Sequence, residues 1–130
     1  MKKRGVQLVT AAIIEENGRI FIARRGPGKH LAGKWEFPGG KIEPGETPEQ
    51  SLERELVEEL GIHVRVGELL CSVRYQSPAV NLELLAFRVT ARTGDPVLHE
   101  HQDCRWVLPG ELLSYDLAES DRKIVERLYG

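Results

Sequence analysis

Glu55, Glu58 and Glu59 recur at spacings of three and four along one stretch of chain. On a helix, their Cβ atoms would lie about 5–6 Å apart on one side, and like charges that close destabilise an isolated helix. A cluster of hard oxygen donors is a natural seat for Mg²⁺, with Mn²⁺ as an alternative, and either cation offsets the repulsion. A solvated acidic face on a surface helix is the other reading of the same residues. Arg54 stands at i, i+4 to Glu58 and can pair with it. Just upstream, Gly39-Gly40 leaves backbone groups free to approach an ion or phosphate. Lys41 follows directly, either as a phosphate contact or as a solvated loop lysine.

The elements that must position these groups are legible around them. Thr47 followed by Pro48 is a helix start, with an N-cap hydroxyl and then a proline at the first helical position. The helix is expected to run to Leu60 and stop at Gly61. Leu52, Leu56 and Leu60 give it an apolar stripe that Val57 widens. Residues 4–14 alternate as a strand, through Val6, Leu8, Thr10, Ala12 and Ile14. Asn17-Gly18 predicts a tight hairpin into a return strand over 19–25. A glycine-rich loop over 26–34 leads to a short strand over 35–37, stopped by Pro38. Strands are expected over 62–75, 80–92 and 103–108, with a short helix near 110–114. A last helix over 121–128, with Ser120 as its N-cap, turns Ile124, Val125 and Leu128 inward. Strands and helices in this order predict an α+β fold, or a sheet between helices.

From Gly40 to Ile62 the sequence reads GKIEPGETPEQSLERELVEELGI. It resembles the Nudix box, Gx5Ex7REUxEExGU with U an aliphatic residue. Gly40, Glu46, Arg54, Glu55, Leu56, Glu58, Glu59, Gly61 and Ile62 fill every fixed position. The resemblance implies a single Nudix domain over residues 1–130, an α+β fold with a mixed sheet sandwiched between helices (α/β/α). It also implies Mg²⁺-dependent hydrolysis of a nucleoside diphosphate linked to another group. Carried over to this chain, Glu58 and Glu59 are metal ligands, and Glu55 is a ligand or the base that activates water. The Gly40 carbonyl is a further ligand, Arg54 orients the glutamates, and Glu46 braces the loop–helix junction. A triphosphate and a carboxylate cluster repel each other, so metal must bridge them and acidify an attacking water. Activity that rises toward alkaline pH is the corresponding expectation.

Outside the box, Ala23-Arg24-Arg25, the stretch from Lys34 to Glu43 and the stretch from Gly45 to Gln50 resemble the MutT-like branch of the family. That branch includes 8-oxo-dGTP diphosphatases. His99-Glu100-His101-Gln102 and Leu117-Ala118-Glu119-Ser120-Asp121 are as similar to its CTP pyrophosphohydrolases. The resemblance implies that Glu100 reaches the metal site from a loop, the other reading being one more loop acid. It implies that Arg25 and Phe37 line a nucleotide pocket, although Phe37 also reads as a core residue. Asp121 falls where the branch carries a base-reading asparagine. A carboxylate only accepts unless protonated, which suits an exocyclic amino group on cytosine or guanine. Its alternative is an acid in the first turn of the last helix. The implied activity is pyrophosphohydrolysis of a nucleoside triphosphate to the monophosphate and pyrophosphate. Oxidised dGTP is the leading substrate, CTP or 5-methyl-dCTP the runner-up, and a non-catalytic nucleotide-binding module a third reading. His99 and His101 flank Glu100, but no further ligands complete a zinc site, so hydrogen-bonded histidines are expected.

Composition bounds the rest. The 130 residues carry 18 Lys and Arg against 20 Asp and Glu, a net charge of −2. That excludes a protein coating nucleic acid by charge alone, and the partner that the resemblance implies is a small nucleotide and not a nucleic acid. No apolar run is long enough to span a bilayer. Met1-Lys2-Lys3-Arg4 could open a signal peptide, but the apolar residues behind it alternate as in a strand. Cys71 and Cys104 lack metal or redox spacing and read as free thiols in a reducing cytoplasm. A monomer is the default expectation.

Overall fold

A computed structural model describes residues 5–130. Its elements are β1 (Gln7–Glu16), β2 (Arg19–Arg25), β3 (Trp35–Glu36), α1 (Pro48–Leu60), β4 (His63–Gln76), β5 (Asn81–Thr93) and β6 (His101–Val107), then a 3₁₀ turn (Pro109–Ser114) and α2 (Glu119–Tyr129). The strands form one mixed sheet in the order β3-β2-β1-β5-β4, with β6 also paired to β2. β1 runs parallel to β5 along Gln7 to Ile14, whereas β4 is antiparallel to β5. β1 and β2 pair only at their hairpin, through Glu15–Ile20 and Glu16–Arg19. Beyond it they diverge, β1 toward β5 and β2 toward β3 and β6.

The loop after β3 fills the gap this divergence opens. Thr10 N–H donates to the Gly40 carbonyl and Ala12 N–H to the Pro38 carbonyl, both at 2.8 Å. The glycine loop therefore runs along β1 as a substitute neighbour. Gly39 is held so closely that a Cβ there would overlap the Thr10 carbonyl, and its φ is +153°.

Helices cover both faces of the sheet. Leu52, Leu56 and Leu60 of α1 pack on Ala12, Ile14, Phe21, Ala23 and Phe87. Ile124 and Val125 of α2 pack on the opposite face with Ala11, Ile13, Ile20, Ile22 and Ala86. Residues 10–14 are buried without a break, because successive side chains point to opposite faces and each face has its own helix. This is the α+β fold with a mixed sheet between helices. Val6 and Leu8 are exposed, and the strand starts at Gln7. Of the expected strand over 4–14, residues 5 and 6 lie outside β1, and residue 4 lies outside the described residues, as does the basic start 1–4.

Local signals set α1. Thr47 accepts the Gln50 N–H, and the Gln50 side chain accepts the Thr47 N–H in return, closing a capping box. Gly61 ends the helix in the left-handed conformation, with φ 65°. Asn17 and Gly18 both have positive φ, as the tight hairpin requires. Ser120 is not the cap of α2. Ala118 holds that position without a side-chain bond, and the Ser120 hydroxyl donates to Asp121 Oδ2 at 3.1 Å inside the first turn. Both cysteines are free thiols. No helix among the described residues is long and apolar enough to cross a membrane.

Candidate active site

Arg54 is the hub of the polar face of α1. Its guanidinium fork donates to Glu46 at 2.6 and 3.1 Å, to Glu55 at 3.0 Å and to Glu58 at 3.1 Å. It also donates to the Lys41 carbonyl at 3.3 Å. The repulsion between neighbouring glutamates is thereby relieved by one planar cation with several donors. Glu46 in turn accepts the Glu43 N–H at 3.0 Å, tying the loop to the helix. The Arg54 bond holds the Glu46 carboxyl below its usual range, with the Glu43 N–H adding to the effect. The Lys41 carbonyl also accepts the Ser51 hydroxyl at 3.2 Å, so the backbone of Lys41 fixes the loop while its exposed side chain is clear of that anchor.

Glu59 lies deeper. It is 8% exposed, and its Oε1 is buried with no hydrogen-bond partner. Burial pushes its carboxyl from 4.5 up to about 9, the charges of Glu36, Glu55 and Glu100 add to the rise, and a backbone bond from Gly39 opposes it. Burial also raises Glu55, against the pull of Arg54. Glu55 lies against Gly40, where a Cβ would come within 2.5–2.8 Å of the carboxyl. A buried carboxylate with an unpaired oxygen among other carboxylates fits a site for a divalent cation.

The chain does not present a finished cage. Among the described residues, no group of three Asp, Glu, His or Cys side chains is drawn together tightly enough to hold an ion. Arg54 engages Glu55 and Glu58, and Lys29 engages Glu100 at 3.2 Å. The Gly40 carbonyl, expected as a further ligand, accepts both the N–H and the hydroxyl of Thr10, at 2.8 and 3.2 Å, which holds the loop along β1.

Beside Glu59 a cleft of about 60 Å³ is walled by Arg25, Lys29, Glu36, Glu59, Glu100 and His101. Glu36 joins three strands here. It accepts from Arg25 at 2.8 Å on one oxygen and meets His101 Nε2 at 2.8 Å on the other. Pairing of Ala23 with Glu36 and of Arg25 with His101 brings them together, with a bulge at Arg24/Arg25. Arg25 also donates to the His30 carbonyl at 2.6 Å, anchoring the loop over 26–34. Glu36 and Lys29 are not singled out by the sequence, and His101, weighed only as half of a zinc site, is the hydrogen-bonded histidine expected. The available signals were a lone acid between Trp35 and Phe37 and a histidine next to Glu100.

Phe37 takes its core alternative. The ring is 3% exposed and packs with the α2 side of the core, and its N–H donates to Asp121 Oδ1 at 3.0 Å. Asp121 is an acid in the first turn of α2, as its alternative has it, and at the same time a buried tie between α2 and the chain after β3. Burial, with the charge of Glu36, pushes its carboxyl from 3.8 up to about 7, against the Phe37 and Ser120 bonds and the charge of Arg25. His99 and His101 diverge. His99 Nδ1 is 2.9 Å from the Glu58 carbonyl, whereas His101 Nε2 meets Glu36.

Comparison with known proteins agrees with this geometry. The NUDIX domain model matches residues 6–128. A CTP pyrophosphohydrolase of Escherichia coli is 44% identical over 118 residues, covering 91% of this chain and 87% of the relative. An 8-oxo-dGTP diphosphatase of Escherichia coli is 38% identical over 128 residues, covering 98% of each. Among solved structures, a MutT Nudix hydrolase from Burkholderia pseudomallei superposes with a TM-score of 0.86 at 28% identity, over 96% of this chain and 99% of that one. The box, the fold and the extent of the match together establish that this chain belongs to the Nudix family.

Proposed function

We propose that the chain is a nucleoside triphosphate pyrophosphohydrolase that needs a divalent cation, Mg²⁺ or Mn²⁺, and releases a nucleoside monophosphate and pyrophosphate. The observation that carries this is Glu59, a buried carboxyl with an unpaired oxygen pressed by three other carboxylates. Glu59, Glu55, Glu58 and Glu100 are the residues that would hold the cation. Bound there, it neutralises phosphoryl oxygens and acidifies a water for attack. Glu55, close to Gly40 and held by Arg54, would be the base that takes a proton from the attacking water. Arg54 and Glu46 keep the carboxylates aligned. Arg25 and Lys41 supply positive charge toward the phosphates.

The leading substrate is 8-oxo-dGTP, and the role is cleansing of the cytoplasmic nucleotide pool and so avoidance of mutation. Asp121, raised to about 7, would have to exchange its Phe37 and Ser120 bonds for a base edge, toward which its protonated form could both donate and accept. In its ionised form it only accepts, which favours a cytosine amino group. CTP or 5-methyl-dCTP is therefore the second reading, and the 44% identical CTP pyrophosphohydrolase supports it.

Competitive hydrolysis of 8-oxo-dGTP, dGTP, CTP, dCTP and 5-methyl-dCTP with Mg²⁺, each as kcat/KM, separates the two. A preference of at least about a hundredfold (about 2.7 kcal/mol) for 8-oxo-dGTP over dGTP supports the first, and a preference for cytosine nucleotides supports the second. Glu58→Gln should abolish metal-dependent turnover. Turnover unchanged by that substitution would overturn the mechanism, and nucleotide binding without turnover in the unsubstituted protein would make the chain a binding module.

A further inference from the structure

Arg25 and Lys29 both wall the cleft beside Glu59, and the two cations are held very differently. Arg25 is committed twice: its Nε donates to the His30 carbonyl at 2.6 Å and its Nη1 to Glu36 at 2.8 Å. Lys29 reaches Glu100 with a single bond at 3.2 Å. Both side chains of that pair are half exposed, at 48% and 49%. An exposed ion pair of this kind adds little stability. An ammonium has three donors, of which the described residues engage one. The backbone behind it is nevertheless anchored. Gly33 N–H donates to the Arg25 carbonyl and Arg25 N–H to the Lys34 carbonyl, both at 2.9 Å, which closes the base of the loop over 26–34. At Gly26 the loop lies so close to residue 100 that a Cβ would sit 3.1 Å from the Glu100 carbonyl. A long, flexible, weakly held cation therefore springs from a fixed backbone at the exposed edge of the cleft.

Glu100 is one of the carboxylates proposed above to hold the cation. Without metal, Lys29 offsets a charge that bears on both Glu55 and Glu59. The Lys29 ammonium is repelled by a dication on Glu100, so the pair must part when metal enters. The polyphosphate chain that comes with the metal offers oxygens in place of the one Lys29 gives up, and a charge-assisted bond to phosphate is a strong one. Rotation about the lysine stem exchanges one acceptor for the other and leaves the loop backbone where it is. Arg25 is the fixed cation of the two, because the same exchange would cost it both Glu36 and the loop anchor at His30. We propose that Lys29 is a substrate-binding residue, which exchanges Glu100 for a phosphate oxygen of the nucleoside triphosphate when the metal-bound substrate enters the cleft. This rests on the metal-dependent reading above and deepens it, by giving the charge that guards the empty site a second task in the filled one.

The test measures binding to the full chain by calorimetry, in the original protein and in Lys29→Ala. The first titrant is Mg²⁺ alone, and the second is a non-hydrolysable nucleoside triphosphate analogue at saturating Mg²⁺. The two affinities should move in opposite directions. Mg²⁺ alone should bind about two- to fivefold tighter in Lys29→Ala, because no ammonium competes for Glu100. The analogue should bind about tenfold or more weaker, because a charged contact to phosphate is gone. KM for the substrate that the panel above selects should rise by the same factor, with kcat within about twofold. Lys29→Gln, which keeps most of the stem without the charge, should reproduce both shifts. An unchanged analogue affinity overturns the proposal. So does a loss of both affinities together in both variants, which is what a merely structural role would give, and so does any other pattern without the opposed shifts. In each of those cases Mg²⁺-dependent turnover by the original protein leaves the reading above intact. An original protein that binds no analogue with Mg²⁺ overturns both.

Discussion

Replacing Asp121 with asparagine should make the metal-free protein more stable at neutral and alkaline pH, although the side chain is buried and doubly hydrogen-bonded. Asp121 is 6% exposed, and its carboxyl is pushed from 3.8 up to about 7, mainly by burial. Between those values the folded chain keeps a proton that the unfolded chain releases. The stability this contributes is fully present below 3.8 and is lost as pH rises through about 7. The gap from 3.8 to about 7, at about 1.36 kcal/mol per pH unit, amounts to about 4 kcal/mol. Asparagine keeps the shape, and its oxygen can accept the Phe37 N–H now bound at 3.0 Å, but it has no proton to lose. Urea unfolding from pH 4 to 8.5, without metal, should therefore show the original protein losing about 4 kcal/mol more than Asp121→Asn. Glu59 titrates in both proteins and cancels in the difference. Parallel stability curves for the two would refute the reasoning, because they would mean that Asp121 has no raised titration.

Glu59→Gln removes the carboxyl raised to about 9, so without metal it should lose less stability than the original protein from pH 5 to 9, and Mg²⁺ should no longer raise its unfolding temperature. In the original protein a cation must displace the Glu59 proton, so Mg²⁺ binding followed by calorimetry should tighten up to about tenfold per pH unit from 7 toward 9, with proton release. Arg54→Lys keeps a charge but loses the fork that grips Glu46 at 2.6 and 3.1 Å; kcat/KM should fall about 10–100-fold, with partial recovery at saturating Mg²⁺. Gly39→Ala puts a methyl group into the Thr10 carbonyl at φ +153°, so circular dichroism and soluble yield should show little folded protein.

Local structure was legible wherever its causes are local. Thr47, Pro48 and Gln50 open α1 and Gly61 closes it through bonds spanning at most a few residues. The same holds for the Asn17-Gly18 hairpin. Sequence reading failed where a residue answers to a distant one. Ser120 has the right chemistry for a cap, but the helix starts at Glu119 and the hydroxyl serves Asp121. Nor does Gly40, which carries no side chain, announce the bond that its carbonyl accepts from Thr10, 30 residues away. Phe37 offered two roles, and packing against the α2 side chose the core.

The box glutamates and the helix that carries them follow from residues 40–62 alone, because helical spacing and capping are short-range and the charges must share one face. Only the tertiary structure decided which of those glutamates is starved of water and partners. Glu58 lies on the outer side, held by Arg54, whereas Glu59 faces a cleft built from β2, β3 and β6. The same folding placed Glu36 between Arg25 and His101 and buried Asp121 84 positions away from the Phe37 amide it binds. Burial and the field of distant charges depend on what the sheet brings together, and no spacing along the chain encodes them.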